Sequence, residues 1–304
     1  MNINNFPSDQ TDDPILFKSL TQKPKIAWPT IMLLVVAFAI FGISTFAYVA
    51  GTISLFSAIL LNSIAAYISF TPVHDASHNA VSTNRQLNEW VGRIGSMLLS
   101  PTPFFRTFRY MHMQHHRFTN DKTKDPDFYA GNGPSWLLPF KWATLELNYF
   151  RLYLQPNIFF KRPESERMEL YLGVLGGVVL IAVVILAGWL EYYLLLFFIP
   201  SRIANYFIAV TFDFLPHYPH QAQATDEPFR CTSNRVGMEW LLTPILLSQN
   251  YHLVHHLYPT VPFYRYLKVW NAKKRYHESQ NPAVTDVFTL VPRNTDEDAL
   301  SRSR

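Results

Sequence analysis

Cysteine and charged residues are both scarce in this sequence. Cys231 is the only cysteine among 304 residues, which excludes an intramolecular disulfide and the disulfide frameworks of small secreted domains. Charged residues make up 16% of the chain, against about 25% in a typical soluble domain. Glycine-rich phosphate loops, a GxSxG elbow and a CxxC pair are missing as well. The most common cofactor-binding and nucleophile motifs are therefore excluded.

What the chain has instead is long hydrophobic runs, and 49% of its residues are hydrophobic. Each of the four longest runs has about the twenty residues that cross the hydrocarbon core of a bilayer. Residues 50–52 separate the first two runs, and Glu191 alone separates the last two. We therefore predict an all-α integral membrane protein with four transmembrane helices in two hairpins. The predicted spans are residues 28–49, 53–73, 170–190 and 192–215.

The basic residues predict the orientation of these spans. All 26 lysines and arginines except Arg202 lie in residues 1–27, 74–169 and 216–304, which two hairpins place on one side. By the positive-inside rule this side is cytoplasmic, and we expect the membrane to be a bacterial inner membrane. This topology accounts for the basic pI without any nucleic-acid partner. No signal peptide is expected in the polar residues 1–27.

The chain is accordingly divided into a cytoplasmic N-terminal segment (1–27), a membrane catalytic domain (28–289) and a polar C-terminal tail (290–304). Arg202 falls inside the fourth run, where a charge is costly. Two interpretations stay open. The arginine faces the bundle interior or a polar cavity, or the fourth span is shifted and partly re-entrant.

Histidine carries the strongest functional signal. Ten of the eleven histidines fall in four clusters, all on the predicted cytoplasmic side, and spacings of three and four place side chains on one helical face. Because His277 lies outside the clusters, we predict that it is a surface or satisfied core residue. The clusters are His74 and His78; His112, His115 and His116; His217 and His220; and His252, His255 and His256.

This number of histidines predicts two metal ions, and we expect a cytoplasmic helical cap to carry this di-metal site. A catalytic zinc takes about three protein ligands, whereas two ions of higher coordination would use nine or ten histidines and keep positions open for oxygen. Imidazole binds several transition metals, so the ligands alone do not select one. A site at the mouth of an apolar bundle suits oxidation of unactivated C–H bonds, which requires a redox metal and dioxygen. A histidine-rich metal transporter or sensor is the alternative, but it would place ligands deep within the spans.

Several polar residues are candidates to orient the ligand histidines, because metal-bound imidazole usually donates its second N–H to a carboxylate or carbonyl. Asp213 precedes His217 by four residues, and Asn250 precedes His252 by two. Asp125 and Asp127 follow the second cluster. Capping and turn formation are the alternative roles of these residues.

The clusters resemble the histidine boxes of the membrane fatty-acid desaturase and hydroxylase superfamily. His74xxxHis78, His112xxHis115His116 and His252xxHis255His256 occur here in the order of that family. The segments around His74, Asp125, His217 and His252 are similar to those of desaturase-like β-carotene hydroxylases, and carotenoid ketolases share the Leu-Pro-His piece and the His-Leu-x-Pro-Thr-Val-Pro piece.

The resemblance implies two iron ions held by nine histidines, O2 as co-substrate and a separate ferredoxin-like electron donor. It also implies a long apolar lipid or carotenoid substrate, with hydroxylation of a β-ring expected. An acyl-lipid desaturase or hydroxylase and a carotenoid ketolase are the enzyme alternatives. Tyr218 and His220 depart from the Leu-Pro-His-Arg-Pro pattern of that branch, so the role of His220 is open. The implied ligands are His74, His78, His112, His115, His116, His217, His252, His255 and His256.

Overall fold

The computed structural model describes residues 12–102 and 104–293, and this part of the chain is mostly helical. It also contains one two-stranded parallel sheet, β1 (Asn234–Val236) with β2 (Val284–Asp286). The predicted helical architecture is confirmed in part, since these two short segments are extended and pair their backbone groups with each other. Residues 1–11 and most of the predicted tail lie outside the described residues.

Four helices are long and apolar enough to cross a bilayer, as the four runs predict. The second helix extends through Ser77, so His74 lies inside its last turn. The turn between the third and fourth helices is 187–189, not Glu191, which is helical. Gly188 has a φ of +73°, which ends the third helix, and an apolar run cannot reveal such a stop. The four helices are α2 (Trp28–Val49), α3 (Leu55–Ser77), α9 (Glu164–Leu186) and α10 (Leu190–His217).

The fourth helix, α10, is irregular. It has π-helical turns at Leu194–Phe198 and Ala209–Phe214. In the first of these turns the carbonyl of Leu196 accepts a hydrogen bond from Asn62 of α3 at 2.8 Å. Asn62 is fully buried and also contacts Ser44 of α2. Polar side chains therefore satisfy a backbone group and connect three helices within the apolar region.

The core is centred on α3, which packs against α2, against α10 and against α4 (Arg85–Ser96). Small residues of α2 and α3, such as Ala37 and Ala65, are fully buried and allow close approach. A Cβ on Gly95 of α4 would lie 2.7 Å from the side chain of Val73, so glycine allows α4 to pack this near. This packing fixes the end of α3 that carries the first histidine pair.

Shorter elements cover the histidine-bearing end of the spans, and we call residues 78–163 and 218–293 the cap. The N-terminal helix α1 (Pro14–Thr21) packs onto the cap, where the amide of Asp13 donates to the carbonyl of Ala272 at 2.8 Å. The two-hairpin arrangement, the cytoplasmic side and the domain boundaries stay predictions. The cap helices are α4, α5 (Phe105–Phe118), α6 (Phe128–Gly131), α7 (Leu138–Tyr153), α8 (Pro156–Phe159), α11 (Glu239–Ile245), α12 (His252–Leu257), α13 (Tyr266–Ala272) and α14 (Lys274–Ser279).

Candidate metal centre

Four separate segments place the clustered histidines at one end of the spans. The last turn of α3 carries His74, and His78 follows as its C-cap. Helix α10 ends at His217, and α12 begins at His252. Helix α5 lies between these segments and contributes three rings at i, i+3 and i+4, which share one face.

The first histidine group combines three of these segments. It consists of His74, His78, His112 and His255, whose candidate ligand nitrogens all lie within 4.8 Å of one another. The Nε2 atoms of His78 and His112 are 2.8 Å apart. Both ring nitrogens of His74 are buried, and neither has a hydrogen-bond partner in the described part of the chain. Burying ring nitrogens without a hydrogen-bond partner is energetically unfavourable unless another group binds them.

The second histidine group is equally compact. It consists of His115, His217, His252 and His256, again with ligand nitrogens within 4.8 Å of one another. The Nε2 atoms of His217 and His252 are 3.1 Å apart, and those of His115 and His256 are 3.3 Å apart. For metal–nitrogen bonds of about 2.1 Å, adjacent ligands of one ion are about 3.0 Å apart, so both groups are compatible with a metal site.

His116 lies between the two groups. Its Nε2 is 3.2 Å from that of His112 and 2.9 Å from that of His255, and its ring stacks on His256 at a centroid distance of 4.2 Å. The structure thus brings all nine histidines of the predicted set into one cluster.

In four rings the outer nitrogen, Nδ1, which faces away from the cluster interior, has a hydrogen-bond partner. His115 Nδ1 donates to Asp125 at 2.9 Å and lies 3.3 Å from Asp127. His252 Nδ1 donates to Gln249 Oε1 at 2.6 Å. The other two contacts join His255 Nδ1 to the Tyr266 hydroxyl at 3.0 Å and His217 Nδ1 to the Cys231 carbonyl at 3.4 Å. These partners orient Nε2 of each ring toward the cluster interior.

The electrostatics favour neutral rings, the form that binds a metal. Burial, with a further contribution from neighbouring histidines, lowers the pKa of six of them well below its ordinary value. His115 differs, because burial lowers its pKa but Asp127 and Asp125 raise it, to a net value of about 9. The carboxylates hold the Nδ1 proton of His115, and the ring binds an ion through Nε2 only after Nε2 releases its proton. The six are His78, His112, His116, His252, His255 and His256.

Of the predicted orienting residues, Asp125 and Asp127 contact a histidine of the cluster, and two others do not. Asp213 lies against Asp127 rather than His217, because the π-helical turn at Ala209–Phe214 breaks the i, i+4 relation that a regular helix would give. Asn250 donates to Thr243 at 3.2 Å, and its neighbour Gln249 contacts His252 instead.

His220 lies beside the cluster, outside both groups of the described residues. Its ring packs against Gly131 and Phe128, and its buried Nε2 lacks a partner in the described chain. Burial lowers the pKa of His220 to about 4. The ring is therefore neutral and fills space under α6.

Sequence reasoning missed Gln249 and Tyr266. Gln249 is three residues before His252, and that spacing could have suggested it. Tyr266 follows His255 by eleven residues, and only the packing of α13 on α12 brings the two together. His277 lies outside the cluster as predicted, and it is a satisfied core residue. It is fully buried and bonded to the Trp270 carbonyl at 3.1 Å and the Tyr258 hydroxyl at 2.9 Å.

An aromatic cavity adjoins the first histidine group. Phe108 stacks on His112 at a centroid distance of 5.2 Å, and Phe70 lies 6.1 Å from His74. Both phenylalanines line the cavity, which runs between α5, α7 and α10. The cavity measures about 40 Å³ and lies one aromatic ring away from the histidines. The lining also includes Phe104, Trp142, Ala143, Leu145, Glu146, Tyr149, Asn205, Ile208, Ala209 and Asp213.

Comparison with known proteins agrees with this arrangement. A family model described as fatty acid desaturase matches residues 44–287, which include all nine clustered histidines. An acyl-lipid (9+3)-(E)-desaturase of Dimorphotheca sinuata is 26% identical over 239 residues, 66% of this chain and 61% of that protein. Dihydrorhizobitoxine desaturase of Bradyrhizobium elkanii is 29% identical over 219 residues, 64% of this chain and 60% of that protein.

A β-carotene ketolase of Paracoccus sp. strain N81106 is 28% identical over 197 residues, 64% of this chain and 71% of that protein. The chain spans about three fifths of the length of the two desaturases. The family match covers most of the chain. The chain therefore belongs to the membrane fatty acid desaturase and hydroxylase superfamily.

Proposed function

We propose that this protein is an O2-dependent di-iron oxygenase that hydroxylates the β-ring of a carotenoid. The observation that carries the proposal is the pair of histidine groups, each with four ligand nitrogens within 4.8 Å, beside an aromatic cavity at one end of the spans. This arrangement suits oxidation of an apolar molecule that enters from the bilayer.

The two groups provide a ligand set for each ion. In this proposal one iron is held by His74, His78, His112 and His255, and the other by His115, His217, His252 and His256. His116 is within reach of both. Two bound iron ions would supply the redox chemistry that activates dioxygen against an unactivated C–H bond. Three of these rings are held in a fixed orientation by contacts to their Nδ1 atoms. The contacting residues are Asp125, Gln249 and Tyr266.

The aromatic cavity positions the substrate in this proposal. Its phenylalanines exclude water from the region next to the histidines and offer an apolar surface to a hydrocarbon. Because Phe108 stacks on His112, a carbon chain packed against Phe108 would lie one aromatic ring away from a ligand. Local placement of one carbon near the cluster decides between hydroxylation and removal of a second hydrogen.

The choice of a carotenoid as the substrate rests on resemblance more than on geometry. Relatives named zeaxanthin 4-ketolase and β-carotene ketolase match this chain, and the segments around His74, His217 and His252 resemble β-carotene hydroxylases. Relatives named as acyl-lipid and sphingolipid desaturases support an acyl-lipid alternative. Membership of an oxidoreductase family weighs against a metal transporter or sensor.

Electrons would come from a separate ferredoxin-like protein at the cytoplasmic face. The basic residues concentrated on that predicted face would attract an acidic partner.

Product analysis in cells that make β-carotene tests the proposal. With a ferredoxin system present, we expect mono- and dihydroxylated rings whose oxygen derives from O2, and the His112→Ala variant should give none. A ketolase would give carbonyl products that absorb at longer wavelength. Unchanged carotene alongside newly unsaturated or hydroxylated acyl chains would contradict the carotenoid assignment and favour the acyl-lipid alternative.

A further inference from the structure

An arginine-rich pocket lies where the third span meets the cap. It has a volume of about 390 Å³ and is formed by α4, α5 and the start of α9. Exposed residues form part of its wall, so it opens on the surface. In the described chain its lining holds twice as many arginines as glutamates, which gives it a net positive charge. We call it the arginine pocket, and its charged residues are Arg85, Glu89, Arg106, Arg109, Arg162 and Glu166.

The carboxylates of the pocket do not satisfy its guanidinium groups. Glu89 alone is shared by Arg93, Arg106 and Arg109. The Nε atom of Arg109 is buried without a partner in the described part of the chain. Arg85 makes no hydrogen bond or ion pair with any described residue. The pocket therefore has an excess of charged donors, and this is the environment that favours a bound anion.

The other two arginines of the pocket also keep an unused N–H group. Arg106 contacts its partners through Nε and Nη1, and Arg162 contacts Glu166 through Nε and Nη2. This leaves Arg106 Nη2 and Arg162 Nη1 without a described hydrogen-bond partner. By contrast, Arg202 of the fourth span faces the protein interior and is paired with Glu146 at 2.7 Å. Unused donors are thus a property of the pocket and not of every arginine near the spans.

The pocket lies at the depth of the phospholipid head groups. Helix α9 has 23 residues, so it is about 35 Å long and only slightly exceeds a hydrocarbon core of about 30 Å. Its first turn, which contributes Glu166 to the pocket, is therefore at the interface. Helix α4 and the segment after it run beside α9 toward the bilayer centre. Arg93 contacts Glu169 at 2.8 Å, and a Cβ on Gly177 would lie 2.7 Å from the side chain of Thr102.

An exposed apolar face continues from the pocket along α4. Trp90, Ile94 and Met97 recur at i, i+4 and i+7, so they share one face, and all three are exposed. Leu172 and Leu175 are exposed on the neighbouring helix α9. Such side chains are suited to contact with acyl chains, and tryptophan is typical of the head-group level. A positive pocket with an apolar face below it matches an amphiphile that has an anionic head group.

We propose that the arginine pocket binds the phosphate of an anionic phospholipid, whose acyl chains lie along the exposed apolar faces of α4 and α9. The phosphate oxygens accept hydrogen bonds from Arg85, Arg106 and Arg162, since the guanidinium group matches phosphate in charge and geometry. This site is separate from the aromatic cavity and does not depend on the proposed function.

Two lipids with the same acyl chains test the proposal, because phosphatidylglycerol has a net negative charge and phosphatidylcholine has none. The binding of each lipid to purified metal-loaded protein in detergent is measured by native mass spectrometry. We expect wild-type protein to bind phosphatidylglycerol about tenfold more tightly, as for a hydrogen bond to a charged group. Arg85→Gln combined with Arg162→Gln should reduce this preference to about twofold or less. Arg85→Gln alone, which loses no described contact, should reduce it by about threefold.

Arg117→Gln combined with Lys122→Gln is the matched control. Both residues are exposed on the cap outside the pocket, and the variant loses the same net charge as the pocket variant. It should keep the preference for phosphatidylglycerol. Equal affinities of wild-type protein for the two lipids would overturn the site, and so would an equal loss of preference in the control. The wild-type and Arg85→Gln measurements decide the question even if the double pocket variant does not fold.

Competition identifies the source of the phosphate. Glycerophosphoglycerol has the same head group without acyl chains, so we expect it to displace phosphatidylglycerol at least about a hundredfold less effectively than the lipid itself. Equal displacement by glycerophosphoglycerol or by inorganic phosphate would overturn the lipid in favour of a soluble ligand. A pocket variant that keeps its lipid preference but loses affinity for an acidic ferredoxin would overturn it in favour of a protein-docking surface.

Discussion

At the residue scale, the candidate ligand histidines differ most in what contacts their Nδ1 atoms. His115 has carboxylates, His252 has an amide and His255 has a phenol. Such partners fix ring orientation and tautomer, and their loss typically costs about 10- to 100-fold in metal affinity or activity. The three contacts come from different parts of the chain, so each can be removed separately.

Tyr266→Phe removes the hydroxyl that contacts His255 and that also lies against the Gln249 side chain. We expect iron retention under mild chelation, or turnover, to fall by about tenfold, because the His255 ring loses its fixed orientation. Tyr258→Phe is the matched control, since its hydroxyl contacts His277 outside the cluster. If both variants kept iron equally well, the orienting role of Tyr266 would be wrong.

His277 and His112 are both buried, but we expect their replacement by alanine to have different effects. His277→Ala removes a ring that stacks on Trp270 at 4.8 Å and makes two hydrogen bonds, so we expect a loss of about 2 kcal/mol or more in stability. Iron content per folded chain should stay unchanged. His112→Ala should instead lose iron and nearly all activity. Thermal unfolding and elemental analysis together separate the two outcomes, and iron loss in His277→Ala would contradict this division.

At the element scale, the irregular helix α10 depends on its neighbours. Pro200 has no N–H to donate to the Leu196 carbonyl four residues earlier, and Asn62 of α3 supplies a donor to that carbonyl instead. The second π-helical turn displaces Asp213 from the histidine face. Both irregularities lie within one apolar span, where no pattern of hydrophobic residues marks them.

Asn62→Leu tests the connection between α3 and α10. Hydrogen bonds between membrane helices contribute about 0.6 kcal/mol on average and up to about 1.7, so we expect a loss of about 1 kcal/mol. The measurement is thermal unfolding in detergent. Leu60→Ala, on the lipid-exposed side of the same helix, should have a smaller effect. Equal effects of the two changes would indicate that Asn62 contributes nothing beyond its volume.

At the scale of the whole molecule, the placement of basic residues predicts that both short turns lie on the side opposite the cap. Thr52→Cys and Trp189→Cys place accessible thiols in those turns, and Lys122→Cys places one in the cap. We expect a membrane-impermeant reagent added outside intact cells to label the first two variants only. The native Cys231 is buried and should give little background. Labelling of Lys122→Cys from outside would contradict the two-hairpin topology.

Local pattern alone determined much of this protein. The length of each apolar run is set by the bilayer, so four long helices could be predicted with ends within about six residues of those observed. The spacing within each histidine cluster is set by the helical repeat and predicted ten clustered histidines. The resemblance to a known family, not the spacing, selected the nine that meet in the structure. The turn at Gly188 could not be predicted because it depends on a single backbone angle. The short sheet could not be predicted because it depends on pairing between distant segments.

Only the tertiary structure decided how the histidines are divided between the two groups. His74 shares a group with His255, and His115 shares one with His217, although each pair is separated by about a hundred residues or more. The same is true of Tyr266 beside His255 and of Glu146 beside Arg202. Helical periodicity relates residues a few positions apart, whereas these contacts arise from the packing of α3, α5, α10 and the cap around one buried cluster.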